Sequence, residues 1–125
     1  MRTTVTSSEA PAAIGPYSQA VKHNGLLWCS GSLGIVPASG EFVANDTATQ
    51  AQQALRNLEA LCGEAGTSLG KALRLTVYLV DLADFQAVNK IYASFFEAPY
   101  PARVTVQVTA LPKGGRIEID AVVAL

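Results

Sequence analysis

Pro101-Ala102-Arg103-Val104-Thr105-Val106 and, past a Leu111-Pro112-Lys113-Gly114-Gly115 turn, Arg116-Ile117-Glu118-Ile119-Asp120 read as two strands closing a sheet. Each alternates apolar with polar residues, the period of a strand with one face in a core. Val104, Val106 and Val108 alternate with Arg103, Thr105 and Gln107, while Ile117, Ile119, Ala121 and Val123 alternate with Glu118 and Asp120. The pattern predicts that both aliphatic faces lie under helices and that Arg103, Thr105 and Glu118 share the opposite face. An inward arginine is costly to desolvate without a partner. Two readings of the pair follow. Arg103 and Glu118 can form an exposed ion pair worth about 0–1 kcal/mol. Alternatively, the guanidinium fork takes a ligand carboxylate and Glu118 holds or deprotonates a water. Gln107 and Asp120 read as solvated sheet residues.

Upstream of this pair, Arg2 to Thr6 is β-branched and strand-like, and Ser7 to Pro16 reads as a loop broken by Gly15-Pro16. Ser18–His23 and Leu26–Ser30 flank Asn24-Gly25, the strongest short hairpin signal. A two-residue turn sets His23 opposite Leu26, Gln19 opposite Ser30 and Ser18 opposite Gly31. Tyr17 then lies near Ser30-Gly31-Ser32. Asp46 caps a helix over Thr47–Ala65, whose Ala51, Ala54, Leu55, Leu58, Leu61, Cys62 and Ala65 make one apolar stripe. Gly66 stops it. Leu73, Leu75, Val77 and Leu79 share a face of a strand over Ala72–Val80. Asp81 and Asp84 start a second helix that buries Phe85, Val88, Tyr92 and Phe95 or Phe96, with Asn89 on another side. The fold class is α+β: a single mixed six-stranded sheet with two helices on one face, in the order β-β-β-α-β-α-β-β. Residues 1–125 form one domain.

Composition bounds the function. Half of the residues are hydrophobic and 15% are charged, and the mean hydropathy is +0.26. Such an apolar chain is expected to bury part of its surface against another subunit. No apolar run approaches the roughly 20 residues of a membrane span, and no basic segment leads into an apolar one as in a secretory signal, so a cytoplasmic location is expected. The net charge is −1 with no block of Lys or Arg, which argues against nucleic acid as a partner. Cys29 and Cys62 read as buried small hydrophobes. His23, the only histidine, flanks the hairpin turn, so neither a zinc site nor a Ser-His-Asp triad is expected.

Ala10-Pro11-Ala12-Ala13-Ile14-Gly15-Pro16-Tyr17-Ser18-Gln19-Ala20 resembles the N-terminal signature of the Rid family, the reactive intermediate deaminases. Ser30-Gly31, Asp81-Leu82 through Phe85 and Val88-Asn89 resemble its middle motifs. Pro101 to Val106, Leu111-Pro112 and Ile117-Glu118-Ile119 resemble its C-terminal signature, and the match is collinear over essentially the whole chain. The resemblance implies a chorismate-mutase-like fold assembled as a homotrimer with ligand clefts between subunits. It implies hydrolysis of reactive enamines and imines, such as 2-aminoacrylate, to 2-ketoacids and ammonia, with no cofactor. By the same resemblance, Arg103 binds the substrate carboxylate and Glu118 positions the attacking water. Tyr17, Asn89, Ser30 and Gly31 line the cleft. Thr105 stands where many relatives carry cysteine. The resemblance also leaves room for a 2-ketoacid-binding regulatory trimer without turnover, a specialised catabolic deaminase, and an RNA-cleaving or translation-inhibiting role.

Overall fold

In the computed structural model, which describes residues 1–125, six strands and two α-helices follow the expected order. They are β1 (Thr3–Val5), β2 (Ala20–His23), β3 (Leu26–Leu33), α1 (Thr47–Ala65), β4 (Ala72–Leu79), α2 (Phe85–Ala93), β5 (Ala102–Gln107) and β6 (Ile117–Ala124). They make one sheet in the order β1-β2-β3-β6-β4-β5. Only the β4–β5 pair is parallel, and the crossover between these strands carries α2.

Local sequence chemistry sets the element ends. Asn24 and Gly25 take φ of 51° and 76°, the left-handed pair a two-residue hairpin demands, and His23 faces Leu26 across it. The Asp46 carboxylate accepts the Thr49 amide at the start of α1, and Gly66 ends the helix at φ 85°. Hydrogen bonds from the Thr49 hydroxyl and amide hold the Asp46 carboxyl below its ordinary pKa. Asp81 caps the turn before α2 by accepting the Ala83 amide. Asp84, expected to cap as well, instead accepts the Thr47 hydroxyl at 2.6 Å and pairs with Arg116 at 3.4 Å. This ties the starts of α1, α2 and β6 together.

The core lies between the helices and one sheet face. The whole expected α1 stripe is buried, and Val88 and Tyr92 of α2 and Phe96 just beyond it join the core, with Phe85 and Phe95 partly buried at its margin. From the sheet come Leu27, Leu75, Val77, Leu79, Ile117, Ile119 and Val123, each at most 1% exposed. Leu73, expected on this face, is 50% exposed. The register between β4 and β6 slips between Ala72 and Arg74, and the irregularity turns Leu73 outward.

The largest correction concerns β5. Arg103, Thr105 and Gln107 sit beside Leu75, Val77 and Leu79 in the parallel register, so they point to the helix side. Val104 and Val106 point to the open face, where they are 37% and 38% exposed. On β6 the expected arrangement holds, with the aliphatic residues under the helices and Glu118 and Asp120 on the open face. Arg103 and Glu118 therefore lie on opposite sides of the same sheet. The physical reason is that β5 is an edge strand beneath the short helix α2. Its arginine finds ring faces and a side-chain amide in that helix.

Candidate active site

The expected site residues fall into two groups. The first gathers on the helix side of β5. The Arg103 guanidinium carbon lies 4.8 Å from the Tyr92 ring centroid and 5.3 Å from that of Phe85. Its Nη1 donates to Asn89 Oδ1 at 2.7 Å. Asn89, Phe85 and Tyr92 recur along α2 so that one helix holds the guanidinium by an acceptor and two ring faces. Arg103 has no carboxylate partner; the chain's one ion pair joins Arg116 to Asp84. The ion-pair reading of Arg103 with Glu118 is thus overturned, and Arg103 is exposed rather than inward. The cation is oriented, and its charge is free for an anion.

Two hydroxyls adjoin this clamp without a hydrogen-bond partner: Thr105 Oγ1 and Tyr92 OH are both buried. Burial pushes the Tyr92 phenol above its ordinary pKa, against the opposing pull of the Arg103 charge. An unsatisfied buried hydroxyl costs on the order of 1–3 kcal/mol.

The second group gathers around the open-face side of β3 and β6. The β3–β6 register shifts between Cys29 and Ser32, at Ser30-Gly31. The Ser30 amide donates to the Gln19 carbonyl at 3.0 Å, and its hydroxyl donates to the Ser18 carbonyl at 2.6 Å. Gly31 lies directly against Glu118, and a Cβ added there would collide with the carboxylate. Glycine is needed because the acid passes where a side chain would be. Tyr17, Ser30 and Gly31 line one cavity, as the hairpin count implied.

Burial, and secondarily the charge of Asp120, raises the Glu118 pKa above the ordinary carboxylate value. Asp120 is not merely solvated. It accepts the Tyr78 hydroxyl at 2.9 Å, and that bond raises the Tyr78 pKa. A carboxylate with a raised pKa in a partly desolvated place has the character of a general base or water-holding group.

Sequence reasoning missed the supports of both groups. Phe85 and Tyr92 read as core aromatics, yet they also carry the arginine. Gln19 is 7% exposed, and its amide nitrogen donates to the Ser7, Ala10 and Pro11 carbonyls at 3.2, 3.3 and 2.6 Å. Its Oε1 accepts the Ser7 amide at 2.7 Å. This one side chain clasps the loop that leads to Tyr17. Asn57, 2% exposed, donates to the Leu33 and Ile35 carbonyls and fastens the end of β3 to α1. For Asn57 the signal was its place in the helix period, between Ala54 and Leu61 on the buried stripe of α1, since a buried amide needs internal partners.

Cys29 and Cys62 are free and buried. The contact with Cys62, together with burial, pushes the Cys29 thiol far up, which suits inert core residues. His23 is exposed beside its turn. No cluster of three His, Cys, Asp or Glu is arranged to hold a metal ion, and no helix is long and apolar enough to cross a membrane.

This sheet and these residues define a family. The model of the family described as Endoribonuclease L-PSP matches residues 7–125, and the chain belongs to it, the YjgF/Rid family. The chain is 50% identical over 121 residues to the RutC family protein y4sK of Sinorhizobium fredii, covering 97% of this chain and 96% of that one. It is 45% identical over 122 residues to the 2-iminobutanoate/2-iminopropanoate deaminase of Capra hircus, covering 98% and 89%. Among solved structures, a protein of the conserved Rid family from Yersinia pestis superposes with a TM-score of 0.97 at 40% identity, covering all of both chains. TdcF of E. coli, solved with bound serine, superposes with a TM-score of 0.93 at 36% identity over 98% of each chain.

Proposed function

We propose that this chain is a deaminase that hydrolyses 2-imino acids and their enamine tautomers, such as 2-aminoacrylate, to 2-ketoacids and ammonia. The observation that carries this reading is Arg103, a guanidinium oriented by Asn89, Phe85 and Tyr92 and paired with no carboxylate. A bidentate carboxylate fits that fork. The serine bound in the TdcF structure and the deaminase activity for which the goat relative is named are consistent with it.

Water on Glu118 adds to the C=N carbon, and its proton goes by way of the carboxylate to the nitrogen. The carbinolamine then collapses, the C–N bond breaks, and ammonia leaves with the ketone formed. Water supplies the oxygen, and no electrons are exchanged with an oxidant or reductant. Orientation does most of the work, since holding the carboxylate fixes the imine carbon against the water.

Arg103 and Glu118 sit on opposite faces of the sheet within one chain, so we assign them to one cleft through a second copy. The clamp of one subunit meets the Tyr17, Ser30, Gly31 and Glu118 group of the next. Closure into a homotrimer gives three such clefts. Trp28, Val104 and Val106 on the open face, at 46%, 37% and 38% exposure, supply apolar surface for that contact. An RNA-directed role, suggested by the family's description, finds no support in a net charge of −1.

The test is direct. Purified protein is added to 2-aminoacrylate as it is generated, and ammonia and pyruvate are followed. Acceleration that disappears in Arg103→Ala supports the reading. A rate equal to the uncatalysed one in the wild type overturns it.

A further inference from the structure

Glu118 and Asp120 stand two residues apart on the open face of β6, and both are half-buried. Residues so spaced on one strand face lie roughly 7 Å apart. Neither acid is in an ion pair, because the chain's one such pair joins Arg116 to Asp84. Two carboxylates this close on a partly desolvated surface disfavour each other's charge. Their surroundings nevertheless treat them differently. Asp120 accepts the Tyr78 hydroxyl at 2.9 Å. Nothing in the chain donates a hydrogen bond to the Glu118 carboxylate.

The tyrosine that engages Asp120 is not its neighbour across the ladder. In the β4–β6 register Thr76 lies opposite Asp120, and Tyr78 lies opposite Glu118. Opposite residues of an antiparallel pair bring their Cβ atoms to within about 5.5 Å. The Tyr78 side chain therefore starts beside Glu118 and runs diagonally to Asp120, a span within reach of an aromatic side chain. On the other flank, Leu33 of β3 lies opposite Glu118, and Gly31 packs against its carboxylate. Neither of these titrates. Arg74, on the same face of β4, lies level with Val122, beyond both acids. In the proposed cleft, Arg103 of a second copy also faces Glu118, and its charge is common to every variant compared below.

We infer that Tyr78 is a positioning residue: by holding Asp120, it commits that carboxylate to a hydrogen bond and leaves Glu118 as the acid free to take the water. The water's part rests on the deaminase reading; the division between the two acids does not. The phenol stabilises the Asp120 anion and offsets part of the charge that Glu118 feels. Burial and that charge already hold the Glu118 pKa above the ordinary carboxylate range. Losing the donor moves it further in the same direction. Tyr78→Phe makes this change alone, since it keeps the ring and removes the hydroxyl.

Titration of the Glu118 side-chain carboxyl is followed by carbon-13 nuclear magnetic resonance in the wild type, Tyr78→Phe, Asp120→Asn and the double variant. The pH profile of imine hydrolysis is recorded alongside. In Tyr78→Phe the Glu118 midpoint and the acid limb of kcat/KM both move up, while affinity for pyruvate, held at the Arg103 clamp, is unchanged. In the Asp120→Asn background the same tyrosine change moves neither, because Tyr78 acts through Asp120. A Glu118 midpoint unmoved by Tyr78→Phe overturns the inference. An equal shift with Asp120 present and absent also overturns it, since the phenol then acts on Glu118 or its water directly. A wild type that hydrolyses no imine yet shows the expected shifts by resonance overturns the deaminase reading and upholds the division between the acids.

Discussion

On β6 the aliphatic residues Ile117, Ile119, Ala121 and Val123 fill the core, and Glu118 and Asp120 stand on the open face. On β5 the valines stand on the open face, and Arg103 and Thr105 turn toward α2. The two strands carry the same period-two pattern in opposite phase to the core. β6 is central, flanked by β3 and β4 under the long helix α1, so only apolar side chains suit its covered face. β5 is an edge strand, and its covered side ends at the ring faces of Phe85 and Tyr92. An arginine gains more from two rings and an amide than a valine would there, and the valines are left for another surface to cover. The cation proposed to bind the carboxylate and the acid proposed to hold the water thereby lie on two sides of a single sheet, and bringing them together becomes a matter of assembly.

The largest effect expected from that arrangement is complementation. Arg103→Ala and Glu118→Gln each lower kcat/KM by about 10- to 100-fold or more, given roughly 1.5–3 kcal/mol for each charge-assisted hydrogen bond lost. Dissociated and reassembled in equal amounts, the two inactive proteins recover about one quarter of wild-type activity, because about one cleft in four receives both intact groups. A site contained in one chain gives no recovery at all, and that result breaks the comparison.

Val106→Asp probes the same contrast through the exposed valines. A carboxylate in the middle of a buried apolar contact is costly, so sedimentation should show monomers with an unchanged far-ultraviolet dichroism spectrum, and activity should be lost with assembly. An assembled, active Val106→Asp protein shows that the open face of β5 stays uncovered. The equivalent change on β6, Ile119→Asp, should unfold the chain, since Ile119 is fully buried within it.

Most of the architecture could be read from residues alone. Asp46, Gly66 and Asn24-Gly25 act within a few residues of themselves, so the ends of α1 and the hairpin turn followed from local chemistry. The phase of β5 did not follow, because alternation says that two faces differ and not which one a helix covers. Its answer depended on side chains 11 to 18 positions away on α2, and a stacked guanidinium can replace an aliphatic residue at the margin of a core. The residues of the proposed site came from the family resemblance, while their division between two sheet faces did not follow from it. The supports supplied by Gln19 and Asn57 depend on carbonyls 8 to 24 residues away, as their hydrogen bonds show.

Gly31 tests the β6 half by itself. Gly31→Ala forces a methyl group against the Glu118 carboxylate, so either the acid or the Ser30-Gly31 irregularity must move. Overpacking of this kind costs about 1–3 kcal/mol, and a displacement of the acid by about 1 Å is enough to lower kcat by tenfold or more. Affinity for a 2-ketoacid should change less than kcat, because the clamp belongs to β5 and α2. A variant with wild-type kcat would show that the close approach of Gly31 to Glu118 has no part in placing the water.

The smallest effect expected is a shift of the pH profile on β6. The acid limb of kcat/KM reports ionisation of Glu118 in the free enzyme, and burial together with the Asp120 charge places it above the ordinary glutamate range. Asp120→Asn removes the charge and keeps an oxygen to accept the Tyr78 hydroxyl. The limb should therefore move down yet stay above the ordinary glutamate range, since burial, the larger cause, remains. Stability carries the matching sign. A raised pKa means that the folded chain binds this proton more tightly than the unfolded one, so stability falls as pH rises from the ordinary glutamate pKa through the raised one. Glu118→Gln should then melt higher than wild type at neutral pH, and the gap should narrow below the ordinary glutamate range, while its activity stays low throughout. The same substitutions leave Arg103 untouched on the other face, so 2-ketoacid affinity at neutral pH serves as the control for the β5 half. An upward or absent shift in Asp120→Asn assigns the acid limb to a group other than Glu118.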